Sequence, residues 1–273
     1  MKRVTRLARL PRLSGNIGVW LFPLLFVAAA SLSSALAQET KSPIELYRTG
    51  QYEAAIAAGQ TANTGEGLAA AARAALAIAN LRDAPCLPCL QRAENLARRS
   101  IALDMNHPDA FVFLAVSLGY EARIAGSLRA QFAHYPEQAK EAIDKALAVA
   151  PNDAFSLAAA GAWHIEVVRN GGILARPMYG ARVDTGIDYF QRAIAADPEN
   201  LVIRAQYALS LAGYAFDTYK EEVTSQLNAV ARIEPRTAYE GALKQRAGGL
   251  LELIKSDKRR DFLSLVSRYQ GYP

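Results

Sequence analysis

The sequence predicts an all-α fold of repeated helical hairpins, on three observations. A spacing of small-x3-large-x2-Ala-x4-Pro recurs at Ala139, Ile143, Ala146 and Pro151 and at Gly186, Phe190, Ala193 and Pro198. Val223, Leu227, Val230 and Pro235 repeat it with Val in place of Ala. The landmarks Pro108, Pro151, Pro198 and Pro235 follow one another at intervals of 43, 47 and 37 residues. No stretch of useful length alternates apolar and polar residues as a half-buried strand would.

The stretch Gly186 to Leu211 shows the unit best. Ile187, Phe190 and Ile194 form one helical stripe, which ends at Asp197-Pro198-Glu199-Asn200. Proline has no amide hydrogen and its ring strikes the preceding turn, so the helix stops there and a second one begins at Leu201. In chain order, the first hairpin turns at Gly50, where a left-handed backbone is expected, and restarts with Tyr52, Ala55 and Ile56. The next runs from about residue 67 to 103 through an alanine-dense helix suited to close packing. A third spans about 109 to 150, with Asn106 and Asp109 as candidate caps. Inserted residues interrupt it around 126 to 135, and a second insertion, RNGGILARPMYGARVD, interrupts the fourth pair. Both should emerge on one edge of the stack and neighbour each other. The fifth pair ends near Ile233, and the helix from Thr237 to Lys255 has no repeat partner. The segment DFLSLVSRY should fold back as a polar-faced cap.

These units resemble the tetratricopeptide repeat (TPR), whose period is about 34 residues. The resemblance covers about residues 43 to 253. It implies an α-solenoid, a right-handed superhelix with a C-terminal capping helix, whose first helices line a concave groove. Carried onto this chain, the groove positions are Phe111, Leu114, Leu118, Phe155, Ala158, Ala162, Ile165, Val202, Gln206 and Leu209. Where the family's carboxylate-clamping groove uses Lys, Asn and Arg, this chain has Leu114, Leu118, Ala158 and Ala162, so no carboxylate clamp is expected.

Residues 1 to 37 read as a cleavable signal peptide, with residues 38 to 273 as the helical domain. A basic start precedes the apolar run GVWLFPLLFVAAASL, and Ala35 and Ala37 supply the small pair read by a signal peptidase. The expectation is cleavage after Ala37, a periplasmic or secreted location, and no stable membrane anchor afterwards. The formal charge of +5 belongs to this leader. Lys2, Arg3, Arg6, Arg9 and Arg12 account for five of the 31 basic residues, so 26 remain against 26 acidic ones. Nothing in the balanced remainder has the footprint of a nucleic-acid binder.

Chemistry-bearing residues are sparse. Cys86 and Cys89, in PCLPCL, are the only cysteines. A structural disulfide is the favoured reading in an oxidising compartment, with free thiols or redox work as alternatives. Covalent haem would need histidine where Leu90 stands, and His107, His134 and His164 lie in three segments without ligand spacing. No metal, no cofactor and no catalytic site are expected. The insertion carries Arg169, Arg176, Tyr179 and Arg182, residue types enriched at binding hot spots. Its competing reading is a loop tucked back by Ile173, Leu174 and Tyr179. Asn170-Gly171-Gly172 should stop the helix before it, each glycine costing about 1 kcal/mol relative to alanine.

Two functions follow as expectations. The first is a non-catalytic scaffold that takes a protein or peptide partner in the concave groove. The second is a soluble carrier for a small apolar ligand or lipid. An open groove of peptide width would favour the scaffold, and a deep closed apolar pocket would favour the carrier.

Overall fold

A computed structural model describes residues 41–273. The expected signal peptide and its cleavage after Ala37 lie outside the described residues. Lys41 to Pro273 form one compact unit. It is all-helical: α1 (Pro43–Arg48), α2 (Tyr52–Ala62), α3 (Gly65–Leu81), α4 (Leu87–Leu103), α5 (Pro108–Ala125), α6 (Ser127–Phe132) and α7 (Tyr135–Val149) come first. They are followed by α8 (Ala154–Gly171), a 3-10 turn (Gly172–Leu174), α9 (Ala175–Tyr179), α10 (Val183–Ala196), α11 (Leu201–Arg232), α12 (Ala238–Lys255) and α13 (Arg259–Tyr269). No strand occurs among the described residues.

Local chemistry sets the helix starts. Ser42 and Glu45 form a reciprocal capping box on α1, and Thr64, Asp153, Asn200 and Thr237 cap α3, α8, α11 and α12 through their side-chain oxygens. Gly50 follows the end of α1 at φ +78°, as the turn requires. Neither Asn106 nor Asp109 caps α5. His107 takes that position without a side-chain bond, and the Asn106 amide instead donates to Asp104 Oδ1 at 2.9 Å.

Packing then follows the repeat spacing. α3 pairs with α4, α5 with α7, and α8 with α10. At the last crossing the glycine is obligatory: a Cβ on Gly186 would stand 2.8 Å from Ile165 and 2.9 Å from the Gly161 carbonyl oxygen. The fifth hairpin is folded out of α11 itself. Its backbone leaves helical geometry at Ala215 and Tyr219, and Arg204 Nη1 donates to Gln226 Oε1 at 2.8 Å. A straight helix would hold residues 22 apart at about 33 Å, so the chain must reverse between them. The large repeat positions Ile143, Phe190 and Leu227 are all buried. The core has two parts, one over α1 to α8 and one over α8 to α13, and α8 gives a face to each.

The extra residues of the third and fourth pairs are not plain loops. They form α6, the 3-10 turn and α9, and Gln131 meets the Met178 sulfur at 4.0 Å, which brings the two insertions together. The C-terminal segment does more than cap. α13 folds back and buries Phe262 and Val266, with Phe262 against Phe216 at 4.4 Å between ring centres. Before it, α12 reaches the amino-terminal end of the stack: Asn80 donates to the Tyr239 hydroxyl at 3.3 Å, and Arg246 donates to the Asn80 carbonyl at 2.9 Å.

Candidate functional site: an apolar cavity closed by the C-terminal chain

The inward faces of α3, α5, α8 and the start of α11 enclose a cavity of about 660 Å³. Its walls are Leu76 and Ala77 of α3, Val112, Phe113, Val116 and Gly119 of α5, Phe155, Ala159 and Val167 of α8, and Val202 and Ile203 of α11. Tyr135, Ala139 and Ile143 of α7 and Leu128, Leu174, Met178 and Tyr179 of the insertions complete one side. Tyr239, Tyr272 and Pro273 close another. The volume falls within the roughly 300–1,000 Å³ of small-molecule sites, and like them this one is mostly apolar with few polar groups.

Those polar groups sit at two places. Arg73 and Asn80, seven residues apart and so on one face of α3, both line the cavity. The Arg73 guanidinium lies 4.6 Å from the Tyr47 ring centre and 5.4 Å from that of Phe155, with no carboxylate in ion-pair range among the described residues. Asn80 Oδ1 is buried and has no hydrogen-bond partner. Burial pushes the Tyr47 and Tyr239 hydroxyls above their ordinary range, so both stay protonated.

The second polar group is a network that ties the tail to α5 and α8. Glu166, buried on α8, accepts from Gln270 Nε2 at 3.0 Å, the Tyr272 hydroxyl at 2.9 Å and Arg123 Nε at 3.4 Å. Arg123 also donates to the Gln270 carbonyl at 3.1 Å, and Arg169 donates to Gln270 Oε1 at 2.6 Å. Arg169 lies 4.3 Å from the Tyr272 ring centre. Burial opposes the charge on Arg123 most strongly, but Glu166 together with Tyr120 and Tyr272 outweighs it and raises the guanidinium's pKa. Each buried ion is thus paired and hydrogen-bonded, the condition under which buried charges are tolerated.

The residues singled out from the sequence divide between wall and core. Phe155, Ala158, Ala162, Val202 and Gln206 line the cavity. Phe111, Leu114, Leu118, Ile165 and Leu209 are buried in the interhelical core instead. Of the insertion residues, Tyr179 lines the cavity, Arg169 belongs to the tail network, and Arg182 pairs with Asp184. Arg176 is exposed. Sequence reasoning missed Arg73, Asn80, Arg123, Glu166, Tyr239 and Tyr272. The available signal was the charge of Arg73, Arg123 and Glu166 within predominantly apolar helices. Cys86 and Cys89 are bridged, with Cα atoms 5.3 Å apart, at the start of α4. His164 is buried, edge-on to Trp163 and stacked on Tyr189, with Nδ1 accepting from the Arg182 amide at 3.3 Å. Among the described residues no cluster of His, Cys, Asp and Glu could hold a metal, and no helix is long and apolar enough to cross a membrane.

Fold and cavity together define a helical-repeat protein whose C-terminal segment returns across its inner face and forms one wall of an apolar chamber that opens to solvent on another side. The family model that matches is described as Regulator of microtubule dynamics protein 1-3, over residues 45–255, and the chain belongs to that family. No TPR family model matches, so the resemblance to TPR proteins is corrected to this family. The physical reason lies in what the repeated spacing measures. A small residue, a large one and an alanine at one crossing let two helices approach closely, a demand that any tightly packed hairpin makes. No curated protein matches the chain.

Proposed function

We propose that this protein is a non-catalytic carrier that holds one small amphipathic molecule of the fatty-acyl class. The observation that carries the reading is the apolar cavity of about 660 Å³, sealed on one side by Tyr239, Tyr272 and Pro273. An acyl chain would lie along Val112, Val116, Phe155 and Ala159, where its removal from water is worth about 0.8 kcal/mol per methylene. Its polar end would lie by Arg73, which the Asp109 carboxylate neighbours without a direct ion pair, and by the unpartnered Asn80 Oδ1. Together with the leader-like residues 1 to 37, the reading places this work in the periplasm or outside the cell.

The scaffold reading has less room. α12 and the tail occupy much of the inner face on which a peptide would lie. The family's description, which names microtubule dynamics, is a reason to test for a protein partner and adds no contact to the argument.

The test is titration of the purified chain with a fluorescent long-chain fatty acid and its alcohol analogue. Ala162→Phe, which puts a ring into the cavity, should abolish binding of both while melting stays cooperative. Arg73→Gln should weaken the acid and leave the alcohol nearly unchanged. Saturable binding that ignores both substitutions would place the ligand elsewhere and sink the proposal.

A further inference from the structure

Half of the ten exposed large apolar side chains among the described residues lie on the two insertions: Leu128, Phe132, Ile173, Leu174 and Met178. Ile173 is 93% exposed and Phe132 77%. The Gln131–Met178 contact joins α6 to α9, so the two insertions present these side chains from neighbouring segments. Three of them, Leu128, Leu174 and Met178, also line the cavity. The patch is therefore the rim where the chamber meets solvent. Monomers rarely leave such apolar surface contiguous without a use for it.

The charge around the patch has one sign. Residues 122–136 and 167–183 contain no Asp or Glu. Arg129 is exposed on α6 and Arg176 on α9, and neither has an ion-pair partner among the described residues. The flanking acids are Asp184, which pairs with Arg182, and Glu137, whose carboxylate lies 3.6 Å from the His134 ring. Apolar tips interleaved with unpaired cations fit a bilayer interface whose headgroups are anionic: the tips enter the acyl boundary and the guanidinium groups meet phosphates.

We infer that α6, the 3-10 turn and α9 form a docking surface for an anionic phospholipid bilayer. It places the rim of the cavity against the membrane. The inference rests on the carrier reading for its purpose, since an acyl chain could then pass between bilayer and chamber without crossing water. Its geometry stands on the patch alone.

The test is hydrogen exchange of the full chain with vesicles of phosphatidylglycerol and phosphatidylcholine, against vesicles of phosphatidylcholine only. Anionic vesicles should protect peptides covering 127–132 and 173–178, a local readout whatever residues 1–40 do. The variant Leu128→Ser, Phe132→Ser, Ile173→Ser should lose that protection and weaken association at least about tenfold, as removal of inserted apolar side chains requires. Arg129→Gln with Arg176→Gln should remove the preference for anionic vesicles. All five positions are exposed, so the melting temperature should not move. Protection that is absent there, or survives the serine variant, overturns the inference. So does protection that appears without vesicles as protein concentration rises, which would make the patch a contact between copies. Fatty-acid titration without vesicles separates the two readings: docking retained with no acyl binding would remove the carrier and leave the docking surface.

Discussion

Tyr272→Phe removes one oxygen atom from the closure of the chamber, and its effect can be worked from the geometry. The hydroxyl donates to Glu166 at 2.9 Å and accepts from Asn170 Nδ2 at 3.0 Å. Asn170 is exposed and regains water when that bond is lost. The bond to the Glu166 carboxylate is worth about 1.5–3 kcal/mol as a charged hydrogen bond, so about 2 kcal/mol is the expected loss. Because Tyr272 lies beyond α13 and outside any helix, its segment can detach without unfolding the core. Its detached population should rise about 30-fold, since each 1.4 kcal/mol is tenfold, while the global melting temperature moves little. Exchange of the amides of Gly271 and Tyr272, which are bonded to the Arg268 and Ser267 carbonyls, reads this directly. In a Glu166→Gln background the same substitution should cost only about 0.5–1.5 kcal/mol, the value for a neutral pair. Unchanged exchange in Tyr272→Phe, or equal effects in both backgrounds, would refute the account of the tail as a Glu166-held closure.

Other outcomes are expected alongside it. Leu118→Asp should unfold the protein or cost several kcal/mol in urea denaturation, because Leu118 is 1% exposed in the core; a folded, stable variant would return that residue to a groove. Cys86→Ser with Cys89→Ser should lower stability by only about 2 kcal/mol, the loop-entropy value for so short a bridge, seen as a melting shift of about 4–8 °C. Glu121, pushed up to about 7 by burial and then by the nearby Glu94 carboxylate, is protonated more readily in the fold than in the unfolded chain. Its contribution is complete below about pH 4.5 and lost as pH rises towards 7; Glu121→Gln should flatten that slope in urea midpoints. Protein recovered from an export compartment should have an intact mass beginning at Gln38, and retention of Met1 in a membrane fraction would contradict the leader.

The hairpins were legible in the sequence because close crossings leave a periodic trace. Gly186, Phe190 and Ala193 mark a face that must be small, large and small, and Pro198 marks where it ends. The cavity face was harder to read. On α5 the positions 111, 114 and 118 face the core while 112, 113, 116 and 120 face the chamber, and nearly every one is apolar. A helix apolar all round gives no moment with which to choose a side. On α8 and α11, Phe155, Ala162, Val202 and Gln206 line the chamber beside fully buried neighbours such as Leu157 and Leu211. The amphipathic segment DFLSLVSRY announced a C-terminal return, but the partners of α12 and the tail had no local signal. Asn80 and Tyr239 meet across 159 residues, a pairing that no spacing encodes. The buried charges Arg123 and Glu166 hinted at it, because each must find a partner in the interior.

The central claim is that the chamber holds a ligand, and native mass spectrometry of protein purified without detergent tests it most directly. The account predicts a 1:1 adduct that collisional activation releases as a long-chain amphiphile, and its disappearance in Ala162→Phe. A bare chain mass after incubation with long-chain fatty acids, or an adduct that persists in Ala162→Phe, would contradict it.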